Sequence, residues 1–321
     1  MGIVLQDQVA VVTGASRGIG RGIALQLGEA GATVYVTGRR PELSDNLRYG
    51  LPSLEYVAHE ITQRGGKGIP LYVDHSNMTE VKFLFEKIKE DQDGRLDILV
   101  NNVYNSLGKA TEMIGQPFYE MDPSFWDSIN DVGLRNHYYC SVYASRLMVP
   151  RKTGLIVNVS SLGGLKYVFN VAYGVGKEAL IRMSTDMSLE LADSNITVIT
   201  LMPGPVKTEL VEKSFFNDQG KLRTDVPGSQ LFGKGESAEY TGKAVARLAM
   251  DPGRIKKTGK TLFTEDLAQK YDFSDRNGME PQNIRSVRTM LETVGKTEFA
   301  KYVPPRIKIP KWIIWQSISK F

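Results

Sequence analysis

Short runs of aliphatic and β-branched residues recur along the first 260 positions, and between them apolar residues return every three or four positions. Residues 9–13, 33–37, 69–73, 96–100, 154–159, 196–201 and 260–263 read as strands, and a helix is expected over about 18–30, with further helices between the later strands. Within the runs the apolar residues are consecutive rather than alternating, so both faces of each strand are expected to be covered. Strands of this kind, separated by helices, predict a parallel sheet. The expected fold class is therefore α/β: a single Rossmann-type, doubly wound sheet of about seven strands with helices on both faces. Such sheets place their ligands beyond the carboxyl ends of the strands. No composition break appears before about residue 265, so residues 1–265 read as one domain and 266–321 as a C-terminal extension.

Composition changes this picture little. The chain is 41 % hydrophobic and 24 % charged, ordinary values for a globular protein. Its 40 basic and 36 acidic residues leave a net charge of +4 with no basic stripe, so no nucleic-acid partner is expected. Cys140 is the only cysteine, which excludes an intramolecular disulfide and a cysteine-based zinc site, implies no metal, and suits a reducing compartment. No signal peptide is read at the N-terminus. Met1-Gly2 opens a myristoylation pattern, but Gln6 stands where Ser or Thr is wanted. No apolar run approaches the ~18 residues of a spanning helix. A soluble intracellular protein is the expectation.

The segment Thr13-Gly14-Ala15-Ser16-Arg17-Gly18-Ile19-Gly20 leaves the first strand and opens a helix. Glycines there allow a tight turn and a close approach of backbone to a pyrophosphate, and the helix N-terminus offers N–H groups and partial positive charge to the anion. An ordinary strand-to-helix connection is the alternative; the position after strand one favours dinucleotide binding. The second strand ends Thr37-Gly38-Arg39-Arg40. An acidic residue there would bind the ribose hydroxyls of NAD. Instead Gly38 is followed by Arg39 and Arg40, which with Arg17 suit the 2′-phosphate of NADP(H); solvated loop arginines are the alternative.

Tyr173-Gly174-Val175-Gly176-Lys177 places a phenol and an ammonium one turn apart on one helix face. A phenol of pKa about 10 releases its proton reluctantly near neutrality, and a nearby ammonium favours the phenolate. Alone, this spacing also describes an amphipathic surface pair.

In their order and spacing, these motifs resemble the short-chain dehydrogenase/reductase family over about residues 5–265, through its Thr-Gly-x-x-x-Gly-x-Gly turn and its Tyr-x-x-x-Lys pair. The resemblance implies that Tyr173 is the general acid and base, while Lys177 tunes it and holds the nicotinamide ribose. It implies a substrate-positioning serine at the end of the fifth strand, where Ser161, twelve residues before Tyr173, is preferred over Ser160. Asp74 takes the place of the adenine-binding aspartate. Asn101 and Asn102 match the first half of the Asn-Asn-Ala-Gly pattern, while Val103 and Tyr104 depart from it, and Tyr104 is expected to narrow the space beside the cofactor. Pro203, Gly204, Val206 and Thr208 fall in a Pro-Gly-x3-Thr segment that contacts the carboxamide in relatives. Gly133 stands where many relatives carry an asparagine that supports a water-linked proton relay; Asn130, Asn136 or a water alone are left open as substitutes.

What the resemblance implies is an NADPH-dependent carbonyl reductase or alcohol dehydrogenase acting on a ketone or aldehyde. The alternative is an NADP(H)-binding scaffold or sensor with little turnover. A substrate loop is expected over about 205–240, where Phe215, Phe216, Leu231 and Phe232 either line an apolar pocket or pack the lid. His137 and Cys140 read as packing residues in a helix that relatives use at subunit interfaces, and a homo-oligomer (dimer or tetramer) is implied. Residues 302–321 mix basic and large apolar residues, including Trp312 and Trp315, which suits a peripheral membrane contact or docking on the protein's own body or a sister subunit. This tail, the Asn-Asn-Val-Tyr segment and Gly133 resemble one branch of the family, associated in animals with the endoplasmic reticulum and with steroid-like and xenobiotic carbonyls. Cytoplasm or the surface of the endoplasmic reticulum is thus the expected location. The terminal Ser319-Lys320-Phe321, one residue from a peroxisomal address, supplies the alternative.

Overall fold

Seven strands form one parallel sheet: β1 (Val9–Val12), β2 (Thr33–Gly38), β3 (Lys67–Tyr72), β4 (Ile98–Asn101), β5 (Gly154–Val159), β6 (Ile196–Met202) and β7 (Thr261–Phe263). Their order is β3-β2-β1-β4-β5-β6-β7, so the chain builds outward from β1 in one direction, returns, and builds outward in the other. The crevice at that reversal lies between the carboxyl ends of β1 and β4. In this computed structural model the described residues are 4–41, 50–105, 116–217, 219–226, 229–279, 281, 283, 285–293, 296–304, 307–310 and 313.

The expected strands are all present, and the reason is visible in their burial. Every residue of β1, β4, β5 and β6 is buried, as strands covered on both faces require. β3, at the sheet edge, is half-exposed and carries Pro70. An edge position tolerates a residue that cannot donate to a second neighbour.

On one face, α1 (Gly18–Glu29) and α2 (Leu54–Gln63) join a core built on Ala10, Val12, Val34, Val36, Val100 and Val157. On the other, α3 (Met78–Asp91), α4 (Ser124–Asn130), α5 (Asn136–Met148) and α6 (Val171–Glu190) follow in the chain, and residues of α3 and α5 pack on Val9, Val11, Leu99, Ile156 and Val198. Successive strand residues thus serve opposite cores. α7 (Glu209–Phe215), α8 (Ala238–Met250) and α9 (Thr264–Tyr271) complete the body.

α8 crosses α1 with almost no side chain between them. A Cβ on Gly22 would lie 2.2 Å from the Ala238 carbonyl oxygen, and one on Gly242 would lie 2.2 Å from that of Gly22. Two short strands, Val206–Lys207 and Glu236–Ser237, pair in parallel at the base of the 205–240 loop.

The described part of the chain after α9 is fastened to the body. Asp275 accepts from the Ser237 N–H at 2.8 Å, at the start of α8. Arg285 pairs with Asp266 on α9, and Lys308 reaches both Asp266 and Gln269 at 2.7 Å. Trp312, Trp315 and Ser319-Lys320-Phe321 lie outside the described residues. Among the described residues, no helix is long and apolar enough to cross a membrane and no side-chain group is arranged to hold a metal.

Candidate active site

A cleft of about 700 Å³ opens at the carboxyl ends of β1, β4, β5 and β6. Its floor at one end is the glycine-rich turn. Gly14 and Gly18 have φ of 65° and 56°, a conformation that favours glycine. The Asn102 amide donates to the carbonyls of Thr13 (2.9 Å) and Gly14 (3.1 Å), pinning the turn to the end of β4. A Cβ on Gly20 would lie 2.3 Å from the Gly14 carbonyl oxygen, so only glycine lets α1 sit so close to the turn. Ser16, Arg17 and Ile19 also line the cleft.

The first turn of α1 contains no acidic residue and Arg17 gives it no side-chain cap, which leaves its N–H groups to other acceptors. Glu209 is one: its Oε2 accepts from the Gly18 N–H at 2.8 Å. A carboxylate from the far side of the cleft thus stands where the helix favours an anion.

Behind the turn runs a buried hydrogen-bond chain. The Gly14 N–H donates to Thr37 Oγ1 (3.3 Å), Thr37 Oγ1 meets His75 Nε2 (2.6 Å), and His75 Nδ1 meets Asn136 Oδ1 (2.8 Å). Because Asn136 Oδ1 is an acceptor, the chain assigns the ring proton to Nδ1, with Thr37 donating to Nε2. Burial pushes His75 down to about 4, so near neutrality it is a neutral link between the turn and α5.

The predicted cofactor residues do not all reach the cleft. Arg39 and Asp74 line it. Arg40 instead lies with its guanidinium 5.8 Å from the centre of the Tyr72 ring. Asn101 is fully buried and donates to Ser141 Oγ (2.9 Å) and Asn158 Oδ1 (2.8 Å), so it ties β4 to β5 and α5 rather than facing a ligand. At the other end, Pro203, Gly204, Val206 and Thr208 line the cleft, with the Gly204 N–H held by Glu236 at 3.2 Å.

Tyr173 lies in the first turn of α6, where the capping Asn170 side chain accepts its N–H at 2.9 Å. Its phenol donates to Ser161 Oγ at 2.6 Å. Ser160 turns its hydroxyl the other way, donating to the Lys177 carbonyl at 2.8 Å. Lys177, one turn along α6, sends its ammonium to the Val159 carbonyl at 3.2 Å. Burial lowers Lys177 to about 8. Burial also raises the Tyr173 phenol, against the opposing Ser161 bond. The phenol therefore lies above its ordinary range, not below it as the neighbouring ammonium was expected to place it.

Two rings flank this group. Tyr104 meets Tyr173 edge-on at 5.7 Å, and its ring centre is 4.5 Å from Lys177 Nζ. Phe169 also meets Tyr173 edge-on, at 5.2 Å. Its φ is +64°, and the Asn170 N–H donates to the Val168 carbonyl at 2.9 Å. A non-glycine residue in such a tight left-handed turn is strained, and strain of this kind gathers at functional sites. In the lid, Phe215 and Phe232 stack at 5.0 Å and both line the cleft. Phe216 instead faces Lys207, and the Leu231 side chain lies outside the described residues.

Neither asparagine left open as a relay residue reaches the cleft. Asn130 donates to the Ala172 carbonyl at 3.3 Å, and Asn136 serves His75 and Cys140. His137 donates Nε2–H to the Val103 carbonyl at 3.0 Å and is lowered to about 3 by burial, with the nearby Lys177 charge contributing. Cys140 is buried and its thiol is pushed up. Sequence reasoning passed over Glu209, His75 and Phe169. Of these, only Glu209 had a signal: an acidic residue directly after Thr208, in a loop that returns to the cofactor turn.

A model of the short chain dehydrogenase family matches residues 8–219. The chain belongs to the short-chain dehydrogenase/reductase family. Along its whole length it is similar to dehydrogenase/reductase SDR family member 1 of Homo sapiens, at 44 % identity over 100 % of both chains. It is 31 % identical to a 3-oxoacyl-[acyl-carrier-protein] reductase of a Synechocystis strain, covering 80 % of this chain and 95 % of that one. Among solved structures, a putative short-chain alcohol dehydrogenase from Sinorhizobium meliloti superposes with a TM-score of 0.66 at 28 % identity, over 82 % of this chain and 96 % of that one. A metagenomic short-chain oxidoreductase in complex with NADP gives 0.61 at 28 %, over 81 % and 97 %. Members of this oxidoreductase family use nicotinamide cofactors. The donors at the start of α1, the close-packed glycines and the continuous cleft from Gly18 to Tyr173 fit such a group.

Proposed function

We propose that this protein is an NADPH-dependent reductase of hydrophobic ketones and aldehydes, steroid-like and xenobiotic carbonyls among them, with the reverse oxidation open to it. The observation that carries the reading is the 2.6 Å bond from Tyr173 Oη to Ser161 Oγ, set beside the Lys177 ammonium at the end of a cleft built to take a dinucleotide. When bound, the coenzyme supplies a hydride to the carbonyl carbon. Ser161 Oγ, already accepting from Tyr173 and from the Gly163 N–H, keeps its own proton for the substrate oxygen. Tyr173 Oη delivers a proton to that oxygen as the carbon is reduced, and the Lys177 charge favours the phenolate left behind. Phe125, Phe169, Phe215 and Phe232 give the substrate end aromatic walls. NADPH oxidation should be followed beside NADH oxidation across quinones, steroids, aldehydes and diketones. Turnover with NADPH is expected; tight NADPH binding with no turnover on any of them would replace this reading with the scaffold one.

Arg39, lining the cleft, is assigned to the 2′-phosphate. Arg39→Ala should raise the KM for NADPH by about tenfold, the equivalent of one charge-assisted hydrogen bond of ~1.5 kcal/mol, and leave that for NADH near its original value. An equal effect on both coenzymes would remove Arg39 from that role. Lys177 is charged below about 8 and neutral above it. Reductase kcat/KM should therefore hold at pH 6–7 and fall as pH rises through about 8, where the phenolate loses its partner. A profile flat to pH 10 would contradict this.

A homo-oligomer is also proposed, supported by Tyr138 on α5 and Trp126 on α4, both exposed; light scattering reads the subunit count. For the tail, Lys308 is engaged with Asp266 and Gln269, so a proposed membrane contact falls to residues after 310, tested by liposome binding with and without them.

A further inference from the structure

The two departures from the family pattern, Tyr104 and Gly133, meet in space. Gly133 lies in a π-helical turn, Asp131–Arg135, between α4 and α5, while Tyr104 follows β4. A Cβ built on Gly133 would lie 2.5 Å from Cδ2 and 2.7 Å from Cε2 of the Tyr104 ring. No side chain at 133 is compatible with the ring as it stands. The ring is seated against Phe125, Ile129 and Ala172, so it has little freedom to retreat. Its face lies 4.5 Å from Lys177 Nζ and its centre 5.7 Å from that of Tyr173.

We infer that Tyr104 occupies the place vacated by a side chain at residue 133 and acts as the positioning residue for Lys177, holding the ammonium against its ring face beside Tyr173. This rests on the assignment of Tyr173 and Lys177 to proton transfer. The ammonium has one carbonyl partner, Val159, and the aromatic quadrupole supplies a second attraction in a buried place where it is strongest. The other titratable groups facing it are Tyr173 on α6 and His137 on α5, and His137 is neutral near pH 7. Neither Asn130 nor Asn136 substitutes for it, because both are committed elsewhere. The ring, and not its hydroxyl, is the working part.

The test needs no coenzyme for its first readout. In protein carrying ¹⁵N-labelled lysine, the Lys177 ammonium is titrated by NMR in the full-length chain. In Tyr104→Leu the midpoint should fall by about half a pH unit or more, and in Tyr104→Phe it should stay. Reductase kcat/KM in the Leu variant should fall about three- to thirty-fold, with its basic limb moved to lower pH, again with Phe unaffected. The packing half is read by Tm. Gly133→Asn alone should destabilise, and Gly133→Asn with Tyr104→Gly should recover most of that loss. An unchanged Lys177 midpoint in Tyr104→Leu, or a Phe variant that behaves like Leu, overturns the inference, as does a double variant no more stable than Gly133→Asn alone. Tyr173→Phe run beside them separates the two levels: turnover surviving in that variant removes the proton-transfer reading, while the titration still reports on Tyr104 and Lys177.

Discussion

Replacing Tyr173 with phenylalanine is expected to lower kcat for carbonyl reduction by about two to four orders of magnitude, the range over which a positioned acid acts. The substitution removes one oxygen and keeps the ring, so the contacts with Phe169 at 5.2 Å and Tyr104 at 5.7 Å persist and the fold is unaffected. Ser161 loses its 2.6 Å donor but keeps the Gly163 N–H at 2.9 Å, and can still orient a carbonyl oxygen. NADPH affinity, measured by fluorescence titration, should stay within a few-fold of the original. The deficit should therefore fall on kcat rather than on binding. A variant that retains a tenth or more of the activity would show that water, not Tyr173, is the proton source.

The second large effect is on stability. Gly22→Val should cost more than about 3 kcal/mol, beyond the usual range for overpacking, and should be read as a lowered denaturant midpoint and Tm. Overpacked side chains can usually shift, but here the new Cβ would sit 2.2 Å from the Ala238 oxygen, 2.3 Å from its carbonyl carbon and 2.8 Å from the Glu239 nitrogen, all backbone. Relief requires the helices to part. α1 carries Ile23, Leu25 and Leu27 into the core, and α8 carries Val245 and Leu248 into the same core, so parting them opens apolar surface along both. A loss below about 1 kcal/mol would mean that the two helices separate more easily than their packing implies.

The architecture was legible because the central strands are buried on both faces and their residues are mostly apolar, so β1, β4, β5 and β6 announce themselves. The strand ends, the glycine-rich turn and the Tyr173 and Lys177 pair were legible for the same local reason: each is a short motif tied to one element boundary. What was hidden depends on contacts between distant segments. Nothing around Asn101 shows that it faces inward while Asn102 faces the cleft, because adjacent positions at a strand end point to opposite sides. Arg40 is drawn to the Tyr72 ring on the neighbouring strand. Tyr104 and Gly133 each looked like an isolated departure, and only their 2.5 Å approach makes them one feature. Phe169 is invisible in sequence, since a left-handed backbone at a bulky residue is imposed by its surroundings.

The crossing of α1 and α8 has a mechanical meaning. The amino end of α1 carries the glycine turn, and Glu236, two residues before α8, grips the Gly204 N–H at the opposite end of the cleft. With backbone lying on backbone where the helices meet, the two jaws belong to a single caliper whose span is set by the radius of a glycine. A ligand reaching from the turn to Gly204 is gauged along its whole length by that fixed opening. Adjustment to ligands of different shape is left to the lid, whose Glu209 meets the caliper at the Gly18 N–H and at the Arg21 guanidinium, 3.6 Å away.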